Sequence, residues 1–126
     1  MAQGAGGGSK EEWLRRAPRL STRLKGRLLG RTALDVEIID LSLSGCLMRC
    51  ETRFDRGMFL DLELTLGDEA LESKARVVDC SSDGEVGPGA GPLYLVGLTF
   101  VTFPPNGEYR LRRFLDDQKK RQDRTP

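Results

Sequence analysis

At 126 residues with 38% apolar side chains, the chain has room for one domain built on a single modest core. It contains no histidine, which removes the commonest general base and metal ligand together with every Ser-His-Asp or Cys-His arrangement, so no enzyme, metal or cofactor is expected. The net charge of +1 is uneven: residues 10–31 carry eight basic side chains against Glu11 and Glu12, residues 32–105 are acidic and residues 106–126 basic, a distribution that suits a local anion site better than a broad nucleic-acid surface.

Residues 1–8 are Gly-rich and read as a flexible tail with no signal-peptide stretch, and position 2 is Ala, not the Gly that myristoylation needs. With no run of 18 apolar residues, no membrane insertion is expected, and the reading is a cytoplasmic protein. Ser9-Lys10-Glu11-Glu12 matches a capping box, and the helix it opens runs through Trp13 to Arg16. Pro18 pushes Ala17 out of the helical region, leaving Arg15 at a helix end and Arg19 in an extended segment beyond it.

From Leu20 the period becomes two. Leu20, Thr22, Leu24, Gly26 and Leu28 share one face, and Ser21, Arg23, Lys25 and Arg27 share the other, which predicts a half-buried strand with a basic outer surface. After a turn at Leu29–Thr32, Leu34, Val36 and Ile38 alternate with Asp35 and Glu37 in a second strand ending at Asp40. Asp40–Gly45 bends the chain into a third strand, Cys46–Cys50. Met58–Leu66 is a fourth, with Leu60, Leu62, Leu64 and Leu66 alternating with Asp61, Glu63 and Thr65. Gly67-Asp68 is a turn, and Glu72–Asp79 a fifth strand with Ala75 and Val77 inward. Ser81 to Pro92, rich in Gly, Ser and Pro, reads as a mobile loop. Leu93–Val101 is the sixth strand. Asn106 is placed to cap a final helix, with Glu108 in its first turn and Leu111, Phe114 and Leu115 as an apolar stripe. Residues 119–126 are a polar tail.

The result is a mainly all-β fold over residues 9–118: a small six-stranded antiparallel β-barrel, closed to remove exposed edges, with an N-terminal arm and a C-terminal helix over one end. Cys46, Cys50 and Cys80 are odd in number and follow no secretion signal, so no disulfide framework is expected. Cys46 and Cys50 share a strand face and read as small buried apolar residues.

Two motifs stand out. Arg15-Arg16-Ala17-Pro18-Arg19 is R-x-x-x-R, and Asp40-Leu41-Ser42-Leu43-Ser44-Gly45 is D-x-S-x-x-G. Alone, the first is common in any basic segment, and the second is commonly a turn of Asp, Ser and Gly. In this order, on either side of one predicted strand and turn, they resemble the PilZ domain. The Val96-Gly97-Leu98-Thr99-Phe100 segment is similar to a strand common in that family, and the likeness covers roughly Glu11 to Leu115. The resemblance implies a six-stranded barrel that serves as a bacterial receptor for cyclic di-guanosine monophosphate (c-di-GMP), with Arg15, Arg19, Asp40, Ser42 and Gly45 in the binding site and Arg16 as a weaker candidate.

The residue types suit that ligand, which carries two guanines and two phosphates. Arginine pairs bidentately with phosphate or with guanine O6 and N7, and its flat face stacks on a base. Ionised Asp40 accepts hydrogen bonds only, which matches the N1–H and N2–H₂ donors of guanine. Ser42 can donate to a phosphate or base and, as an alternate position, shares a face with Asp40; Gly45 admits close backbone approach or positive φ. Trp13 is expected to anchor the arm on the barrel or stack near a base. The leading reading is a stand-alone receptor that passes its signal to an unidentified effector protein, with motility or biofilm outputs implied by the family, acting as monomer or homodimer. A PilZ-type adaptor working by protein contacts without nucleotide is the alternative. An RNA- or single-stranded-DNA-binding barrel is disfavoured because such surfaces interleave aromatics with basic residues.

Overall fold

The computed structural model of the chain describes residues 20–124, with side chains described through Arg121. The helix predicted over Ser9–Arg16, including Trp13, Arg15 and Arg16, lies outside the described residues, as does Arg19.

Period-two patterning resolves into β1 (Leu20–Leu29), β2 (Leu34–Leu41), β3 (Gly45–Cys50), β4 (Phe59–Leu66), β5 (Glu69–Val86) and β6 (Pro92–Thr102), followed by helix α1 (Gly107–Arg124). The strands close into a barrel in the order β1-β2-β3-β6-β5-β4, every neighbouring pair antiparallel. The inward faces match the sequence pattern. Gly26 and Leu28, Val36 and Ile38, and Leu62, Leu64 and Leu66 are buried, whereas Arg23, Lys25 and Arg27 are exposed. Cys46 and Cys50 point into the same core, buried as expected, beside Met48 and the β6 pair Val96 and Leu98.

Gly26 sits where β1 passes tightly between neighbours: an added Cβ would lie 3.2 Å from the Glu63 carbonyl oxygen and equally close to Ile38 and Val36. β1 and β2 slip by one residue near their ends, with Thr22 and Arg23 together facing Ile39; β2 and β3 slip at that same Ile39. Bulges of this kind sharpen the local twist and re-aim side chains.

The largest departure from the sequence reading is at Ser81–Pro92. β5 runs 18 residues, straight through Ser81 to Val86, with Ser81 opposite Leu95, Ser82 opposite Tyr94 and Val86 opposite Pro92. Only Gly87–Gly91 turns. The turn-forming side chains suggested a loop, but tertiary partners override that preference. β6 supplies the ladder, Arg49 Nε lies 3.1 Å from Asp83 Oδ2, and the irregularity is absorbed by Gly84 at φ 80°. The tip is held by Glu51, whose carboxylate accepts from Gly89 N at 2.9 Å and Gly91 N at 3.3 Å.

α1 begins at Gly107, which is buried so closely that an added Cβ would sit 2.8 Å from Phe103 Cβ and 3.0 Å from Pro104 Cδ. Asn106 opens the helix through its backbone: its carbonyl accepts from Arg110 N at 2.9 Å, and its φ of 65° is a left-handed conformation that Asn tolerates better than most residues. Its side chain makes no hydrogen bond among the described residues, so the expected side-chain cap gives way to this backbone role. Leu111 is fully buried, and Phe114 and Leu115 pack on the core beside it. The helix continues to Arg124, beyond the point where the sequence suggests a polar tail. No helix among the described residues is long and apolar enough to cross a membrane.

Candidate functional site

The D-x-S-x-x-G segment joins β2 to β3 at the bulged end of the β1–β2 ribbon. Asp40 is the penultimate residue of β2 and is half-buried. It stands opposite Ser21, whose Oγ donates to Asp40 Oδ1 at 3.3 Å, so β1 helps to position this carboxylate. Leu41, fully buried, anchors the strand end in the core.

Ser42 lies past the strand, where alternation no longer sets direction, and the chain folds around it. Its backbone N–H donates to Gly45 O at 2.9 Å, closing the turn. Its Oγ accepts from Ser44 N at 3.1 Å and Gly45 N at 3.3 Å, donates toward Gly45 O at 3.3 Å, and lies 3.0 Å from Ser44 Oγ. At 6% exposure this hydroxyl is the turn's internal fastening.

Gly45 opens β3, buried and opposite Thr99 of β6; among the described residues the glycines with positive φ are Gly57, Gly67 and Gly84, so the left-handed option raised for Gly45 is not the one used. The exposed residue of the turn is Ser44. Its carbonyl accepts from Phe100 N at 2.9 Å and Thr99 Oγ1 at 3.2 Å, which ties the turn to β6.

Asp40, Ser42 and Gly45 are thus brought together on one rigid turn. Arg15, Arg16 and Arg19 lie outside the described residues and precede β1, the strand that pairs with Asp40. Sequence reasoning missed Ser21 and Ser44. Ser44 was visible inside the motif as an unassigned position. Ser21 has no local signal, because its pairing with Asp40 depends on strand register.

The buried thiols offer no competing chemistry. Burial pushes Cys46 far above the ordinary thiol range, and burial also raises Cys50, whose Sγ donates to Thr52 O at 3.3 Å. Among the described residues no group of three or more His, Cys, Asp or Glu side chains could hold a metal ion.

A model of the PilZ domain matches residues 14–117. The chain belongs to the PilZ family. Among solved structures it resembles the PilZ domain of Escherichia coli YcgR with c-di-GMP, at 18% identity and TM-score 0.66, over 89% of this chain and 99% of that one. It also resembles the Klebsiella pneumoniae MrkH–c-di-GMP complex, at 19% identity and TM-score 0.72, covering 89% of this chain and 55% of MrkH. The Bacillus subtilis inhibitor of motility MotI matches at 16% identity and TM-score 0.65, over 84% of this chain and 52% of MotI. The PilZ chain therefore spans about half the length of the latter two proteins. No curated protein sequence matches it.

Proposed function

We propose that this PilZ domain is a receptor for c-di-GMP, acting in the cytoplasm and passing its signal to a partner protein by presenting a ligand-dependent surface. The observation that carries the reading is Asp40, held at the barrel's outer edge by Ser21 and followed at once by a turn fastened through Ser42. An acceptor-only carboxylate on a rigid support suits the paired donors of a guanine edge. The R-x-x-x-R segment precedes the strand on which Asp40 leans, so Arg15 and Arg19, with Arg16 beside them, supply the cations that a dianionic ligand requires. Gly45 leaves the start of β3 without a side chain. The PilZ structures of YcgR and MrkH with c-di-GMP support the ligand class.

Output through motility or biofilm control fits a family whose solved members include an inhibitor of motility. Stacking on an aromatic platform, as in a single-strand nucleic-acid barrel, finds little support: Phe59 and Tyr109, the exposed aromatics among the described residues, sit singly on β4 and α1, and neither belongs to the β2–β3 turn.

Calorimetric titration with c-di-GMP tests the reading and gives the stoichiometry. Arg15→Ala and Arg19→Ala should each lose about 1.5–3 kcal/mol of binding, the range for hydrogen bonds to charged groups. Parental affinity in both variants would refute the site assignment. A parent that binds no c-di-GMP would favour the adaptor that works by protein contacts alone.

A further inference from the structure

We infer that Arg23, outside both motifs, is an additional contact for the phosphodiester of the bound dinucleotide; this rests on the reading of the Asp40 turn as the c-di-GMP site. Four basic side chains occupy the outer face of β1 to β3, and they divide into two kinds. Arg27 is held between Asp35 at 3.7 Å and Glu63 at 4.0 Å, and Arg49 between Asp83 at 3.1 Å and Glu37 at 3.6 Å. These pairs lie on the part of the sheet away from the turn, and each cation there is locally neutralised. Arg23 and Lys25 have no ion pair among the described residues, and both are exposed.

Register explains the difference. Lys25 stands opposite Glu37, already engaged by Arg49. Arg23 falls in the bulge, where it and Thr22 together face the apolar Ile39, so the ladder gives it no carboxylate of its own. The next register pair along β1 is Ser21 with Asp40. The bulge therefore leaves an unneutralised guanidinium on the same sheet surface as the Asp40 carboxylate, one step along the strand. A long exposed Arg beside an acceptor-only Asp gives the two charges that a guanine nucleotide needs: donors for a phosphodiester oxygen and an acceptor for the base edge. Because Arg23 sits on a strand of the barrel, its cation is pre-positioned on the barrel itself.

The test is titration of c-di-GMP into the full chain and into Arg23→Ala, Arg23→Lys and Arg31→Ala. Arg31 is an exposed cation in the β1–β2 turn, at the far end of the ribbon from Asp40, and controls for general charge. Arg23→Ala should weaken binding about tenfold and flatten its salt dependence, Arg23→Lys should lose less, and Arg31→Ala should stay within about twofold of the parent. All variants should unfold at the parental temperature, since these side chains are exposed. Parental binding by Arg23→Ala, or an equal loss in Arg31→Ala, overturns this inference and leaves the Asp40 reading standing. A parent that does not bind overturns both.

Discussion

The Ser42 hydroxyl shows what the D-x-S-x-x-G motif does before any ligand arrives. It is the shared acceptor for two backbone N–H groups, those of exposed Ser44 and buried Gly45, so Ser42→Ala strands the buried Gly45 donor. Leaving a buried donor unsatisfied costs about 1–3 kcal/mol, and denaturant unfolding should show a loss of that size together with weaker c-di-GMP binding. Asp40 should behave in the opposite way. It is half-buried at a strand end, so Asp40→Ala should leave stability within about 1 kcal/mol of the parent. It should weaken c-di-GMP much more than cyclic di-AMP, because only guanine presents paired donors. Equal losses for the two ligands, measured side by side, would mean that Asp40 supports the turn and does not read the base. Motif spacing made all three turn positions legible in the sequence. Their division of labour was not, because strand alternation stops at Leu41 and the direction of Ser42 is fixed by hydrogen bonds that only the folded turn creates.

At the scale of elements, the sequence was most readable where apolar and charged residues alternate without interruption. β4 and the inner half of β5 lie where Leu60, Leu62, Leu64 and Leu66, then Ala75 and Val77, place them. Reading fails over Ser81–Val86, where Ser, Asp and Gly signal a loop and the chain instead extends a two-stranded ribbon past the barrel rim. The stabilising groups are remote in sequence: Arg49 against Asp83, and Glu51 across the Gly87–Gly91 tip. The tip is shaped around that carboxylate, since a Cβ at Gly87 would lie 2.6 Å from Glu51 Oε2 and one at Gly89 2.8 Å from Oε1. Glu51→Ala should therefore loosen the ribbon end and little else. Amide exchange at Gly89 and Gly91 should accelerate by about fivefold, matching roughly 1 kcal/mol of lost local protection, while global stability should change by less than about 0.5 kcal/mol. Uniformly faster exchange through β1 and β2 would show that the ribbon is coupled to the whole barrel.

On the scale of the whole molecule, six alternating segments were enough to suggest a closed barrel, but not the pairings of β3 with β6 and β1 with β4 that close it. Those contacts join segments far apart in sequence, and they create the sealed interior in which Cys46 is fully buried. The sealing has a measurable pH signature. Desolvation raises the Cys46 thiol far above its ordinary value, and Cys50 is raised for the same first reason, so the folded state keeps Cys46 protonated where the unfolded chain releases that proton near pH 8.5. The stability this neutral thiol contributes is fully present below the unfolded pKa and is lost as pH rises above it, because the unfolded chain then binds fewer protons than the native one. Cys46 can remove up to about 1.4 kcal/mol per pH unit in that window. Other groups also titrate in alkali, so the informative comparison is between the parent and Cys46→Ala. The parent should be the more stable at pH 7, by roughly 1 kcal/mol for the lost packing. The gap should close, and then reverse, as denaturation curves are taken at pH 7, 8.5 and 10. A constant gap across those three curves would mean that Cys46 ionises as readily in the native barrel as in the open chain, and that water reaches a core which strand closure should keep dry.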